Sequence, residues 1–419
     1  MKNQSIMITP APLAGTVKMP PSKSVMHRVL LCASLSEGTT TISPLLLSED
    51  IKATLRACQT LLSDICVEDS IVVSARHSLP EQSVINCRES GSTLRFFLPI
   101  AAALGARVTF TGEGRLPQRP LTPLFELFDQ TGCSYSAQGN LPVTLHGQLP
   151  SGSLAIRGDV SSQFITGLLM ALPLLGHSVL QVTTPLESRP YVDITLDVMK
   201  QFGITCHHEQ YRVFQTEGAY QSPGVFCCEG DWSNAAFWLV ANALGARIRI
   251  ENLSLSSCQG DRQILAILQQ CGFSLQEGFL LQRQEKNNTL LPSSPVVIDV
   301  SDIPDLVPIL AVFGSFCCQE MHLVGAARLR LKESDRLAAT ASELNRLGAS
   351  VTELPDGLVV RRVTSLHGGH VQSHNDHRIA MALAIASLKS TAPVTIDGAN
   401  AVQKSYPAFW QELERLQQQ

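Results

Sequence analysis

Residues 94–105 read LRFFLPIAAALG, a run of apolar and small side chains that ends in a glycine. Such a run predicts a buried helix, and the glycine marks where that helix ends. Similar runs recur along the chain, and five of them are followed by glycines spaced 67, 71, 69 and 69 residues apart, namely Gly38, Gly105, Gly176, Gly245 and Gly314. Self-similarity at this period predicts a chain built from repeated units.

Each unit is predicted to contain two helices. The apolar first helices are expected near Ser24–Ser36, Leu94–Leu104, Gln163–Leu175, Asn234–Leu244, Pro304–Phe313 and His377–Leu388. The amphipathic second helices, such as Leu121–Thr131, are located by the glycines that end them, Gly132, Gly203, Gly272 and Gly348.

A short strand pair follows each second helix. The pairs are expected within Cys133–Leu145, Ile204–Gln215, Phe273–Gln282 and Ala349–Arg362. Leu61–Ser74 is a weaker copy that lacks the glycine, and the final helix, Tyr406–Leu416, has no strand pair after it. The strands Ser5–Thr9 and Thr16–Met19 could supply the missing piece, so that the N-terminus closes a sixth unit.

Six units of this βαβαββ type predict an α/β protein of two pseudo-threefold domains, with helices inside and sheets outside. A plain doubly wound sheet would need longer parallel crossovers and fewer hairpins. We expect domain one to combine residues 1–14 and 228–419, and domain two to span residues 15–227.

Composition excludes several classes of protein. Of the 419 residues, 44% are hydrophobic and 16% charged, which is typical of a globular protein. A net charge of −4 argues against nucleic-acid or membrane binding through a general basic surface, although a local basic pocket is compatible with it. Residues 1–15 lack the continuous apolar core of a signal peptide. Phe164–Leu180 is too short and too interrupted for a membrane span, and a buried helix explains it better.

The cysteine pattern favours a reducing compartment. None of the 12 cysteines forms a Cys-x-x-Cys motif, and Cys227-Cys228 and Cys317-Cys318 are adjacent, which suits neither a standard disulfide nor a zinc site. We therefore expect reduced core cysteines in a cytosolic protein.

Polar chemistry concentrates at the predicted helix starts. Pro20-Pro21-Ser22-Lys23-Ser24 precedes an apolar helix, and Arg28 lies one turn beyond Ser24 on the same face. A helix N-terminus with a lysine, two hydroxyls and an arginine suits a phosphate or carboxylate. For this segment alone, a serine N-cap followed by ordinary surface charges is the favoured interpretation.

The same design recurs at other helix starts. The motifs are Glu89-Ser90-Gly91-Ser92-Thr93-Leu94-Arg95, Gln118-Arg119-Pro120, Ser161-Ser162-Gln163, Arg330–Arg336, Asn375-Asp376-His377-Arg378, and Lys404 before the last helix. Singly, each could be structural: Ser161 and Asp376 could be N-caps, and His374 with His377 is weak evidence for a metal. Together they place seven cations at corresponding ends of the units, which favours a polyanionic small molecule as ligand: Lys23, Arg28, Arg119, Lys332, Arg336, Arg378 and Lys404. The carboxyl groups of Asp305 and Glu333 could supply a base and an acid.

The ordered set of motifs resembles the EPSP synthase (3-phosphoshikimate 1-carboxyvinyltransferase) family over essentially the whole chain. Besides the motifs above, it includes Gly112-Glu113, Arg189-Pro190-Tyr191 and Ile303-Pro304-Asp305. The resemblance implies a two-domain inside-out α/β barrel whose domains close over a cleft. It also implies transfer of the enolpyruvyl group of phosphoenolpyruvate to the 5-hydroxyl of shikimate 3-phosphate through a tetrahedral intermediate, on the route to chorismate and the aromatic amino acids.

The resemblance also implies residue roles. Shikimate 3-phosphate would be held by Lys23, Ser24, Arg28, Ser161, Ser162, Gln163, Ser188, Asp305 and Lys332. Phosphoenolpyruvate would be held by Lys23, Gly91, Arg119, Gln163, Arg336, Arg378 and Lys404. Asp305 would take the hydroxyl proton and Glu333 would protonate the methylene carbon, with help from Lys332, while Lys23 would touch both substrates. A monomeric cytoplasmic enzyme without metal or cofactor is expected.

Three positions depart from the family pattern. Pro21 replaces a common glycine, Glu89 stands where many members have asparagine, and Arg328 stands where an asparagine often contacts shikimate 3-phosphate. These put substrate affinity and sensitivity to the inhibitor glyphosate in question, but not the reaction class.

Three alternative functions fit the sequence less well. A UDP-N-acetylglucosamine enolpyruvyl transferase shares the fold, but its loop normally carries a reactive cysteine, and Thr111–Pro120 contains none. Intact Lys23, Asp305, Glu333 and Lys404 argue against a catalytically silent anion-binding protein. The acidic net charge argues against an RNA-end-processing relative.

Overall fold

A computed structural model describes residues 4–76, 78–283 and 295–418 and divides the chain into two units. The continuous unit is Pro21–Glu229, and the discontinuous unit combines Met1–Pro20 with Gly230–Gln419. This division differs by a few residues from the expected boundaries, because residues 15–20 belong with the discontinuous unit and residues 228–229 with the continuous one. In the discontinuous unit, the strand Ala14–Lys18 pairs in parallel with Arg247–Glu251.

The elements follow the predicted order closely. The helices are α1 (Lys23–Leu35), α2 (Glu49–Leu61), α3 (Gly91–Leu104), α4 (Thr122–Thr131), α5 (Ser162–Ala171), α6 (Arg189–Gln201), α7 (Trp232–Ala243), α8 (Ile264–Gln270), α9 (Val307–Cys317), α10 (Arg336–Arg346), α11 (His377–Ala386) and α12 (Phe409–Gln417). The strands are β1 (Ser5–Ile8), β2 (Ala14–Lys18), β3 (Thr39–Ser43), β4 (Ser63–Val67), β5 (Ile71–Ala75), β6 (Ser83–Asn86), β7 (Val108–Thr111), β8 (Tyr135–Ala137), β9 (Val143–Leu145), β10 (Ser153–Ile156), β11 (Val179–Val182), β12 (Thr205–Glu209), β13 (Val213–Glu217), β14 (Val225–Cys227), β15 (Arg247–Glu251), β16 (Phe273–Leu275), β17 (Leu281–Arg283), β18 (Val296–Asp299), β19 (Glu320–Val324), β20 (Ser350–Leu354), β21 (Gly357–Arg361), β22 (Gly369–Gln372) and β23 (Val394–Asp397).

One sheet pattern is repeated. In the sheet ordered β6-β7-β9-β8, the first two strands are parallel and are joined through α3, and the last two form an antiparallel hairpin that follows α4. The sheets β10-β11-β13-β12 and β18-β19-β21-β20 have the same order and directions. These sheets confirm the predicted βαβαββ repeat.

Three of the remaining sheets contain strands from distant parts of the chain, and the fourth is the antiparallel pair β16-β17. Strand β14 pairs in parallel with β3 and so completes the first repeat of the continuous unit. Strand β1 pairs antiparallel with β23, which confirms that the N-terminus contributes to the sixth repeat. The prediction was wrong for β2, which pairs with β15 of the fourth repeat and not with the sixth.

The first helices form the centre of each unit. Helix α3 packs against α5 in the continuous unit, and α9 packs against α7 and α11 in the discontinuous unit. These helices are buried along almost their whole length, whereas outer strands such as β12 leave most side chains exposed. Gly105 ends α3 and Gly132 ends α4, both in the left-handed conformation that favours glycine (φ of 67° and 71°).

The apolar segment Phe164–Leu180 behaves as predicted. Helix α5 and the short 3₁₀ helix Leu172–Leu175 that continues it are largely buried within the continuous unit. Among residues 4–76, 78–283 and 295–418, no helix is both long and apolar enough to cross a membrane.

None of the twelve cysteines, all of which lie in the described ranges, forms a disulfide, and most are core residues as predicted. The prediction was wrong for Cys66 and Cys227, whose side chains are exposed, and for Cys206 and Cys258, which are half-buried. Burial raises the pKa of the Cys32 and Cys58 thiols to about 12.

Candidate active site

In the continuous unit, the start of α1 carries the first predicted cation. The Ser22 hydroxyl caps α1 by accepting a hydrogen bond from the backbone N–H of Val25 at 3.5 Å. Lys23 and Ser24 follow in the first turn and are half-buried. The ammonium of Lys23 lies 2.9 Å from Oδ2 of Asp50, in the first turn of α2. This ion pair, which the sequence did not indicate, fixes Lys23 at the helix end.

Arg28 is buried and bonded to several groups of its own unit. Its guanidinium donates to the Ser24 carbonyl at 2.6 Å, to the Thr195 hydroxyl at 2.8 Å and to the Tyr191 carbonyl at 2.8 Å. Thr166 Oγ1 accepts a further, longer bond at 3.2 Å. Arg28 therefore joins the first turn of α1 to α5 and α6, and that network holds Ser24 in place.

Gly91, the first residue of α3, lies against the Arg119 guanidinium. A Cβ at this glycine would stand 2.7 Å from Nη1 and 2.9 Å from Cζ of Arg119, closer than side chains pack. Arg119 is itself buried and follows the 3₁₀ helix Leu116–Gln118. Ser90 caps α3 through the N–H of Thr93 at 3.2 Å. The N-terminus of α3 and a buried cation thus meet at one point, which favours an anion.

A hydrogen-bond network joins the starts of α3 and α5. The amide of Gln163 donates to Ser92 Oγ at 2.9 Å and accepts from Arg95 at 2.7 Å. Arg95 also donates to the Pro120 carbonyl at 3.1 Å, next to Arg119, and stacks 4.9 Å from the centre of the Phe164 ring. The motif at residues 89–95 contained Arg95, but only the structure shows it as the link between Gln163 and the Arg119 segment.

The predicted serines lie at helix starts. Ser161 caps α5 by accepting from the Gln163 N–H at 3.3 Å, and Ser162 is buried beside it. Ser188 precedes α6 and adopts a left-handed conformation, with φ of 55° and ψ of 47°. A buried, non-glycine residue in this region is strained, which is common at binding sites.

In the discontinuous unit, Arg336 is the centre of a group of ion pairs. Its side chain is 2% exposed and lies 2.7 Å from Asp376, 2.7 Å from Asp305 and 2.9 Å from Glu333. Burial opposes its charge, but Asp376, Glu333 and Asp305 outweigh burial and raise the pKa of Arg336 well above its usual value. The predicted base and the predicted acid are therefore held by the same guanidinium.

Arg378, at the start of α11, is the second cation on Asp305. Its Nη2 lies 3.0 Å from Asp305 Oδ2. Burial again opposes the charge, whereas Asp305, Asp231 and Asp261 raise the pKa of Arg378. Asp376 caps α11 through the Arg378 backbone N–H at 2.9 Å and accepts from Ser334 at 3.0 Å.

Two lysines complete this set of cations. Lys404 is buried and donates to the Asn375 carbonyl at 2.6 Å. Burial lowers the pKa of Lys332 to about 7; Asp305 opposes this shift, and the nearby cations Arg328 and Arg336 add to it. Arg328, one of the departures from the family pattern, donates to the Ser301 carbonyl.

Sequence reasoning also missed the roles of two further aspartates. Asp376 was named as a possible N-cap and as part of a weak metal interpretation; it does cap α11, but it also binds Arg336 and Ser334, which lie about forty residues earlier in the chain. Asp261, buried behind the start of α7, was not singled out at all.

The structure does not support a metal site at His374 and His377. His374 is bonded to Glu343 at 2.9 Å. Over the described ranges, no group of three or more histidine, cysteine or acidic side chains could hold a metal ion.

The comparisons with known proteins cover almost the entire chain. The family model for EPSP synthase (3-phosphoshikimate 1-carboxyvinyltransferase) matches residues 8–413. A protein named 3-phosphoshikimate 1-carboxyvinyltransferase from Clostridium kluyveri is 47% identical over 420 residues, covering 98% of this chain and 97% of its own. A protein of the same name from Clostridium perfringens is 42% identical, with 99% and 98% covered.

Solved structures agree with the sequence matches. A structure of EPSP synthase from Acinetobacter baumannii superimposes with a TM-score of 0.80 at 25% identity, covering 99% of this chain and 98% of that one. The related sequences, the family model and the solved structures all identify the same family, and the chain belongs to the EPSP synthase (3-phosphoshikimate 1-carboxyvinyltransferase) family.

Proposed function

We propose that this chain transfers the enolpyruvyl group of phosphoenolpyruvate to the 5-hydroxyl of shikimate 3-phosphate and releases phosphate, a step toward chorismate and the aromatic amino acids. The observation that carries the proposal is Asp305, a carboxylate held between the buried guanidiniums of Arg336 and Arg378. A base placed between two cations suits a reaction that must both bind an anion and remove a proton.

Phosphoenolpyruvate is bound by Arg119, Arg336, Arg378 and Lys404, with Gly91 and Gln163 beside it and Lys23 in contact with both substrates. The burial of these arginines supports this role, because charge-assisted bonds from buried arginines to phosphate and carboxylate groups are strong. The contact between Gly91 and Arg119 supports it further, since a ligand there meets both backbone N–H groups and a cation.

Shikimate 3-phosphate is bound by Ser24, Ser161, Ser162, Gln163 and Ser188, by Lys332, and by Asp305 at its hydroxyl. The clustering of the serines at the starts of α1, α5 and α6 supports this role. Arg28 adds charge to this region, but its bonds to Ser24, Thr166 and Thr195 indicate that it also orients the serine side of the site.

Proton transfer is assigned to two carboxyl groups. Asp305 accepts the proton of the 5-hydroxyl while the hydroxyl oxygen forms a bond to C2 of phosphoenolpyruvate. Glu333, with Lys332 beside it, gives a proton to the methylene carbon, which yields the tetrahedral intermediate. Loss of a methyl proton and cleavage of the bond to phosphate then give the enolpyruvyl ether and inorganic phosphate. The shared contact with Arg336 supports the pairing of the two carboxyl groups.

We also propose the finer features of the protein. Each unit is interpreted as an inside-out α/β barrel, supported by buried central helices and repeated outer sheets. A monomer that uses neither metal nor cofactor is the form we propose. A cytoplasmic location is supported by the twelve cysteines, all within the described ranges, that form no disulfide.

The test is phosphate release from phosphoenolpyruvate by the purified chain, with shikimate 3-phosphate, with UDP-N-acetylglucosamine, or with no acceptor. We expect release only with shikimate 3-phosphate. Release that depends on UDP-N-acetylglucosamine would favour the other enolpyruvyl transferase. That result would be unexpected, because residues 111–120 contain no cysteine. Lack of release with either acceptor would contradict the proposal, and the Asp305→Asn variant serves as the matched inactive control.

A further inference from the structure

Two consecutive residues just before α11, His374 and Asn375, adopt left-handed backbone conformations. Their φ angles are 53° and 55°, in a region that residues other than glycine seldom occupy. They are the central residues of a tight turn, which is closed by a hydrogen bond of 2.9 Å from the Asp376 N–H to the Ser373 carbonyl. Because neither central residue is glycine, the turn is strained and needs support from its surroundings.

This turn carries groups that contact the proposed phosphoenolpyruvate site. The Asn375 carbonyl accepts a hydrogen bond from the Lys404 ammonium at 2.6 Å. Asp376, which closes the turn, lies 2.7 Å from the Arg336 guanidinium and caps the helix that begins beside Arg378. A change in the conformation of the turn would therefore move the acceptors that orient Lys404 and Arg336.

Glu343, near the end of α10, bonds directly to the turn and to the strand before it. Its side chain is 2% exposed. Its Oε1 lies 2.9 Å from Nε2 of His374, and its Oε2 accepts from the backbone N–H of Gln372 at 3.0 Å. Oε2 also lies 3.6 Å from Nε of the exposed Arg346. A buried carboxylate is stable only with such partners, and here both oxygens bond to the segment at residues 372–374.

The beginning of the turn is fixed separately, by the buried Ser373. Its N–H donates to the Asp397 carbonyl at 2.9 Å, and its hydroxyl donates to the Gly398 carbonyl at 2.9 Å. The same hydroxyl accepts from the Asn375 N–H at 3.2 Å. Ser373 thus fixes where the turn starts, whereas Glu343 holds the side chain of its first central residue, His374.

We propose that Glu343 is a positioning residue for the phosphoenolpyruvate site, which acts by holding His374 and Asn375 in their left-handed turn. This inference rests on the proposed roles of Lys404 and Arg336 in binding phosphoenolpyruvate. Without Glu343, the turn relaxes toward ordinary backbone conformations, and the Asn375 carbonyl no longer orients Lys404. Binding of phosphoenolpyruvate is then weakened, whereas binding of shikimate 3-phosphate is largely unaffected.

The first experiment compares Glu343→Ala and Glu343→Gln with the wild type in steady-state kinetics for both substrates. Because Glu343→Ala removes two bonds to a charged group, we expect the KM for phosphoenolpyruvate to rise about tenfold. The rise should be smaller in Glu343→Gln, since the amide keeps one acceptor oxygen. The KM for shikimate 3-phosphate should change less than about twofold in both variants.

Asn345→Ala is the matched control. The amide of Asn345, on the same helix, bonds to the N–H and the carbonyl of Val351 in β20 at 2.8 and 2.7 Å. Asn345→Ala therefore also removes two hydrogen bonds of α10, but none to the turn. It should leave the ratio of the two KM values unchanged.

The second experiment compares His374→Ala with His374→Gly, which distinguishes support of the turn from general damage to the fold. Both variants lose the bond to Glu343, but alanine keeps the cost of a positive φ and glycine removes it. We expect the KM for phosphoenolpyruvate to rise about tenfold in His374→Ala and less than about threefold in His374→Gly. In the His374→Gly background, Glu343→Ala should add less than about a threefold effect.

Three results would overturn the positioning role while leaving the wild-type activity and the proposed function intact. They are equal effects of alanine and glycine at position 374, equal increases in both KM values in Glu343→Ala, and an equal shift of the KM ratio in Asn345→Ala. A wild type with no activity on shikimate 3-phosphate would instead overturn both proposals.

Discussion

Gly91 and the guanidinium of Arg119 are in contact: an added Cβ would stand 2.7 Å from Nη1 and 2.9 Å from Cζ. The contact joins the N-terminus of α3 to a buried cation, and no side chain separates them. An added Cβ would therefore require the buried Arg119 guanidinium to shift away from the helix end. The proposed phosphoenolpyruvate site therefore depends on the absence of a side chain at position 91.

The first prediction concerns Gly91→Ala. The methyl group should displace the Arg119 guanidinium by several tenths of an ångström and so weaken its contact with the anion. We expect the KM for phosphoenolpyruvate to rise about tenfold, with the KM for shikimate 3-phosphate nearly unchanged. In an Arg119→Lys background, which lacks the planar guanidinium, the added effect should be small. Equal increases in both KM values would contradict this account.

The second prediction concerns the two carboxyl groups on Arg336. Asp305→Asn and Glu333→Gln keep side-chain size but cannot exchange the proposed protons, and we expect each to lower kcat by at least about a hundredfold. Phosphoenolpyruvate affinity, measured by equilibrium titration, should change far less than kcat. Asparagine is the better substitution at Asp305, because alanine would remove the acceptor that Arg336 and Arg378 share. Turnover close to wild type in both variants would remove the acid–base assignment.

Much of the fold was predictable, because the sequence patterns that indicate each helix lie within that helix or at its ends. Apolar runs and terminal glycines located the helices to within a few residues; α4, for example, was expected at Leu121–Thr131 and spans Thr122–Thr131. The pairing of β2 with β15 was not predictable. It joins residues more than two hundred positions apart, and nothing in either strand's own pattern selects the partner.

The site was predictable in its cations but not in their supports. Lys23, Arg119 and Arg336 stand at helix starts, which motif spacing indicates. Their partners are distant in sequence, as with Asp50 for Lys23, so local pattern cannot reveal them. Arg28 is a different case. Its spacing from Ser24 predicted a ligand contact, whereas the structure shows that it bonds to Thr166 and Thr195 and so connects three helices.

The third prediction concerns thiol reactivity. Cys66 and Cys227 are exposed, whereas Cys32, Cys58 and Cys87 are buried, and burial raises the pKa values of these three thiols. In the native protein, a disulfide reagent such as DTNB should therefore modify Cys66 and Cys227 first. The Cys66→Ser/Cys227→Ser variant should lose this fast phase, and unfolding in guanidinium should expose the buried thiols. A fast phase that persists in the double variant would contradict the burial pattern.

The last prediction is the pH dependence that Lys332 imposes. Burial lowers its pKa to about 7, so in the free enzyme the ammonium loses its proton as the pH rises through neutrality. If charged Lys332 holds shikimate 3-phosphate, kcat/KM for that substrate should fall above about pH 7, because kcat/KM reports the free enzyme. The bound phosphate favours the ammonium form, so the corresponding limb in kcat should lie at higher pH. Lys332→Arg keeps a positive charge throughout this range and should abolish the decline in kcat/KM, whereas Lys332→Ala should lower kcat/KM even at pH 6. An alkaline limb that stays at the same pH in Lys332→Arg would assign the titration to a different group.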